Sequence, residues 1–376
     1  MTRLVLVHGR DNQGLDAEEV ERTWRTVLSA GLAAAGRPRV LTDDDAAFVF
    51  YGDTLAALVA GRGAVPPVTV HAAPVGSGSA GRYGARGPVT GLDARALAED
   101  LTHDELMLLD AVATEVLHAA GTDAARFSVA QGLGADVDLG RWVSVLLSAL
   151  DAVPGLSAAA LVLLVRDVWA YLHDPEVRTT VDDALAAAMP TDEPAVVVGH
   201  SLGSVVAYSV LRDHDLRRDR RAPGPASAPG VASAADPASA TGPASALGAG
   251  PAAASGRWDV PLFLTLGSPL AIRAIRDVLA ARAPLRVPGS VDRWVAVRDR
   301  RDPLALHGLG PAAFPLAPGS PPVEDLVVEN RAPGHHAAAV LLDDGSPAGY
   351  LALARVAGLL PDGTGTPPRT NPAPAR

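Results

Sequence analysis

The sequence predicts an α/β protein: a mostly parallel sheet flanked by helices, in one domain over residues 1–360, carrying a helical insertion at 92–189. Three observations support this. Short apolar runs of strand type alternate with segments of helical period. Residues 195–211, AVVVGHSLGSVVAYSVL, pass from a buried strand through a very tight turn into an apolar helix. Between about Leu92 and Met189 the periodicity is helical almost throughout.

In chain order, Arg3 to Val7 reads as the first strand. A helix follows in which Val20, Trp24, Val27, Leu28 and Leu32 recur at helical spacing. AAFVFYGD (46–53) is the next strand, broken at Gly52, and the Gly- and Pro-rich stretch from there to about Thr90 is expected to be an exposed, mobile loop. DELMLLDAVATEVL, GRWVSVLLSALDAV, LSAAALVLLVRDVWAYL and VRTTVDDALAAAM are the helices of the insertion. Strands return as AVVV (195–198), PLFLTL (261–266), RWVAV (293–297) and EDLVVEN (324–330). From Ala222 to Gly256 all but four of 35 residues are Ala, Pro, Gly or Ser. That composition cannot bury enough apolar surface to offset its chain entropy, so a disordered loop is expected over 217–257, and likewise a disordered tail at 361–376.

Composition limits the function classes. The net charge of −10 offers no general attraction to nucleic acid or to an anionic membrane. With no cysteine, disulfides and thiolate metal sites are excluded, and no His-Glu-x-x-His or other metal spacing occurs, so neither metal nor cofactor is expected. The opening MTRLVLVHG lacks the basic head, apolar run and cleavage site of a signal peptide, and LSAAALVLLV (156–165) falls short of the roughly 20 apolar residues of a membrane span. The expectation is a cytoplasmic protein without a transmembrane segment; nothing in the sequence names a protein partner.

Gly199-His200-Ser201-Leu202-Gly203 fits G-x-S-x-G between a strand and a helix. In that geometry the serine backbone is strained and side chains at 199 and 203 would collide across the turn, so glycine is required at both. The serine hydroxyl is thereby held above the carboxyl end of the sheet. The amide of Leu202, at the helix N-terminus, is directed at any oxyanion formed there.

From these residues the chain resembles the α/β-hydrolase superfamily, in its lipase-like and esterase-like branches. The resemblance implies a second oxyanion donor on a loop after a strand, which points to the backbone N–H of Arg10 in Val7-His8-Gly9-Arg10. It also implies the order Ser, acid, His. Asp302-Pro303-Leu304, after the strand RWVAV, resembles the motif that carries the acid, with Asp299 as the rival. The base falls in Arg331-Ala332-Pro333-Gly334-His335-His336, where His336 is preferred and His335 stays open. Related sequences place Gly-Tyr-Leu a few positions after this histidine; here Gly349-Tyr350-Leu351 lies further downstream. LTLGSPLAI (264–272) resembles the strand and turn after the nucleophile helix. VHGRDNQG, with Trp24 and VFYGDTL, resembles the opening of a group of bacterial α/β-hydrolases. The resemblance covers 1–60 and about 170–360. It implies a serine hydrolase that cleaves a carboxylic ester or related acyl substrate through an acyl-enzyme, the helical insertion sitting as a cap over the carboxyl ends of the strands. The alternatives are a serine peptidase or acyltransferase, or a catalytically silent binding or scaffold protein, which the displaced Gly-Tyr-Leu favours.

Overall fold

The computed structural model of the chain describes residues 2–10, 12–42, 44–61, 65–71, 93–121, 139–221 and 256–361. Strands β1 (Arg3–Val7), β2 (Ala46–Phe50), β3 (Thr69–His71), β4 (Ala195–His200), β5 (Leu262–Leu266), β6 (Trp294–Asp299) and β7 (Glu324–Val328) form one sheet in the order β3-β2-β1-β4-β5-β6-β7. All neighbours are parallel except β3, which runs antiparallel to β2. A separate hairpin pairs β8 (Val340–Leu341) with β9 (Pro347–Ala348).

Ten α-helices are found among the described residues: α1 (Ala17–Ala34), α2 (Gly52–Val59), α3 (Ala94–Glu99), α4 (His103–Ala119), α5 (Leu139–Asp151), α6 (Ala158–His173), α7 (Pro175–Ala188), α8 (Leu202–Arg221), α9 (Arg273–Arg282) and α10 (Ala354–Ala357). None is long and apolar enough to cross a membrane.

The central strands are apolar at nearly every position because both faces of the sheet are covered. Leu4, Leu6, Phe48, Val196, Val198 and Leu264 pack with Trp24, Val27 and Leu28 of α1 and with Val356 and Ala357 of α10. Val5, Val7, Val49, Val197 and Phe263 face the other way, into a core shared with α8 and the insertion helices. Helix α1, which follows β1, and helix α8, which follows β4, therefore lie on opposite faces of two adjacent strands. Such a point in an open parallel sheet leaves a crevice at the carboxyl ends, where ligands bind.

Several expectations need correction. The stretch after Gly52 is not one loop: α2 begins at Gly52, and β3 adds an edge strand at 69–71. Residues 72–92 lie outside the described residues. The insertion is not confined to the strand ends. Its α7 packs on β2, β3 and α8, and α6 is enclosed by α2, α7 and α3–α5, so one apolar cluster runs from the sheet through both helical tiers. This enclosure explains why Leu161, Val162, Leu164, Val165 and Val168 bury successive faces of α6. Helix α8 continues to Arg221, so 217–221, placed in the disordered loop from composition, is helical. The remainder of that loop, 222–255, and the tail from 362 lie outside the described residues.

Gly31 of α1 sets how closely the C-terminal segment docks. A Cβ there would run into the carbonyl oxygen of Leu351 and reach 3.0 Å from Ala357 Cβ. Gly31→Ala would gain about 1 kcal/mol of helix propensity, but overpacking against a backbone atom costs about 3 kcal/mol. The expected net loss is about 2 kcal/mol in urea unfolding. A midpoint at or above wild type would show that this segment gives way freely.

Candidate active site

The crevice between the ends of β1 and β4 holds Ser201. It has φ +50°, a left-handed conformation that a side chain disfavours, and is 2% exposed. Its N–H donates to the Leu266 carbonyl at 3.0 Å, and its carbonyl accepts from Ser204 N at 2.9 Å. Gly199 is required across the turn because a Cβ would lie 2.7 Å from Ser204 Cα and 2.8 Å from the Gly203 carbonyl. Gly203 is required for a different reason. A Cβ there would strike the carbonyls of Val7 and His8, so β1 and not residue 199 imposes it. Leu202 is fully buried as the first residue of α8.

On the β1 side, Gly9 approaches so closely that a Cβ would be 2.8 Å from both Ser201 Cβ and His200 Nδ1. Arg10 follows directly. The loop is fixed by His8, whose Nε2 accepts from Tyr51 N at 3.0 Å and whose Nδ1 contacts the Gly9 carbonyl. Tyr51 OH donates to the His8 carbonyl at 2.6 Å. Burial pushes the His8 imidazole down to about 4, so it is neutral at ordinary pH.

The acid and base of the sequence reading meet on the next two loops. Asp302, after β6, is 1% exposed and accepts from His336 Nδ1 at 2.9–3.0 Å, from Tyr350 OH at 2.6 Å and from Leu304 N at 2.9 Å. A carboxylate only accepts, so Nδ1 carries the His336 proton and Nε2 is the basic nitrogen. His335 is turned elsewhere: at φ +58° its Nδ1 meets the Asn330 carbonyl at 2.8 Å and lies 3.9 Å from Asp299. Asp299 itself is engaged by Arg301 and by Asn330 N at 2.7 Å, so it shapes the loop. The histidine pair is thus divided, His336 on Asp302 and His335 on the loop backbone.

The two halves of the site adjoin at His200 and Gly267. His200 Nε2 donates to the His336 carbonyl at 2.7 Å, and the two rings are 4.7 Å apart. Burial, then the neighbouring His336, push His200 down to about 3. Gly267, at φ +54° and next to the Leu266 carbonyl that holds Ser201, leaves no room for a Cβ: Asp302 Oδ2 would be 2.8 Å away and His336 Nδ1 3.0 Å.

Sequence reasoning missed His200, Gly267 and Tyr350 as parts of the site. Tyr350 had a signal in the displaced Gly349-Tyr350-Leu351. The β8–β9 hairpin takes up the extra chain, and Tyr350 N and Leu351 N return to the carbonyls of Ala337 and Ala338 at 3.1 and 2.9 Å. A cavity of about 120 Å³ borders Gly9, Arg10, Tyr51 and α6, whereas a larger one of about 310 Å³ lies at the far, amino ends of β1 and β4, remote from these residues.

No family model, curated protein or solved structure matches the chain. What the fold defines is a mixed α/β protein with a mostly parallel seven-stranded sheet; any reading of function stands on the site itself.

The two neutral histidines give a pH prediction. Their folded pKa values, about 4 and about 3, lie below the unfolded 6.5. Below pH 6.5 the unfolded chain gains protons that the folded chain refuses. Stability therefore falls as pH drops from 6.5 toward about 4, by up to about 1.4 kcal/mol per pH unit for each histidine. Urea midpoints at pH 7, 6 and 5 should decline, and less steeply in His200→Gln. Parallel curves for the two proteins would rule out His200 as a source.

Proposed function

We propose that the protein is a serine hydrolase of α/β-hydrolase type that cleaves a carboxylic ester or related acyl substrate. The observation that carries this reading is the hydrogen bond between His336 Nδ1 and the buried Asp302, on the loops beside a strained serine at the switch point of the sheet.

In the proposed reaction, Ser201 Oγ attacks the acyl carbon while His336 Nε2 takes its proton. Asp302 keeps Nδ1 protonated and stabilises the imidazolium that forms. The tetrahedral oxyanion is held by the backbone N–H groups of Leu202 and Arg10. His336 then protonates the leaving oxygen or nitrogen, and the C–O or C–N bond breaks to leave an ester on Ser201. Water, deprotonated by the same nitrogen, attacks that ester, and the carboxylic acid departs as the Ser201 proton is restored. The displaced Gly-Tyr-Leu is the sequence feature that favours a silent fold; the hairpin accounts for it, since Tyr350 still reaches Asp302.

The test is labelling with a fluorophosphonate, which reacts only with an activated serine. Wild type and His335→Ala should label, and Ser201→Ala should not. His336→Ala should label at least about 1,000-fold more slowly. A folded wild type that takes no label and cleaves no ester in an acyl screen would refute the proposal.

A further inference from the structure

The loop that follows β1 is tied to the helical insertion by an ion pair. Asp167, in α6 of the helical insertion, accepts from Arg10 Nε at 2.6 Å, and the two side chains are only 12% and 7% exposed. An arginine so buried is sensitive to this contact, since loss of the Asp167 charge takes a carboxylate away from a largely desolvated cation. The pair crosses from the β1 loop to the inner helix at the edge of the small cavity bounded by Gly9, Tyr51 and Leu163.

The backbone of the same loop is fixed on its other side. Asn12 Nδ2 donates to the carbonyls of Gly9 and Arg10, each at 3.2 Å. A trans peptide points its N–H opposite to the preceding carbonyl, so holding the Gly9 carbonyl toward Asn12 turns the Arg10 N–H the other way. Asn12 sets one edge of that peptide plane, and the Arg10 side chain, tied to α6, sets the position of its Cα. Gly9 has no side chain that could do so.

We propose that Asp167 is a positioning residue for the reaction, which from the helical layer fixes Arg10 so that its backbone N–H meets the oxyanion. The inference rests on the hydrolase reading above. It assigns the insertion a part in transition-state binding, beyond enclosing the core.

The test uses the full chain with p-nitrophenyl butyrate as substrate and an alkyl boronate as mimic of the tetrahedral oxyanion. In Asp167→Asn, kcat should fall about 10- to 100-fold, the boronate should bind more weakly by a similar factor, and KM should stay within about threefold. Asp167→Glu should recover most of the loss. Should Asp167→Asn fail to fold, the double variant Arg10→Met with Asp167→Leu removes both charges of the pair and keeps the peptide N–H at position 10; it should fold and still show the kcat and boronate losses. Wild-type kcat and boronate affinity in Asp167→Asn or in the double variant would overturn the inference and leave the hydrolase reading intact. So would a fall in kcat accompanied by a large rise in KM and a lower melting temperature that Asp167→Glu does not reverse. A wild type that neither labels with fluorophosphonate nor turns over ester defeats both.

Discussion

The buried carboxylate of Asp302 is the constraint on which the site depends. A charge at 1% exposure would cost several kcal/mol if left alone. Its hydrogen bonds to His336, Tyr350 and Leu304 each return about 1.5–3 kcal/mol as bonds to a charged group. The three donors come from the loop after β6, the loop after β7 and the C-terminal segment. Satisfying one charge therefore fixes three stretches of chain, and the positions of His336 and Tyr350 follow from it. Tyr350 also accepts from Asp299 N at 3.0 Å, which ties the end of β6 to the same point.

The other two histidines near the serine act by remaining uncharged. His8 and His200 are small, dry rings, each holding a backbone group that a larger residue would displace. Held neutral by burial, they add no charge that would compete with His336 for Asp302. His200 also links the two halves of the site, because it precedes Ser201 in sequence and bonds the carbonyl of His336.

What the residues made legible was local. Strands with both faces buried, the tight strand-to-helix turn at Ser201 and the aspartate before Pro303 each depend on neighbours within a few positions. The choice between His335 and His336 was not legible, because it is made by the left-handed backbone at Gly334 and His335, which turns the two rings apart. Helix α2 and strand β3 were hidden by short length within a Gly- and Pro-rich stretch. The return of Tyr350 was hidden by a hairpin whose strands are two residues each, too short to show a period. Contacts such as Arg10 with Asp167 join residues far apart in sequence, and no local pattern marks them.

The helical layer is joined to the loops of the site on both flanks, but unequally. On the serine side is the dry Arg10–Asp167 pair. On the Asp302 side, Glu115 of α4 meets His307 Nε2 at 3.0 Å and Arg273 N at 3.0 Å, with His307 41% exposed. An exposed pair contributes at most about 1 kcal/mol and is screened by salt, whereas breaking a buried one costs about 3–5 kcal/mol. Any movement of the helical layer would thus open first beside Asp302 and last beside Arg10.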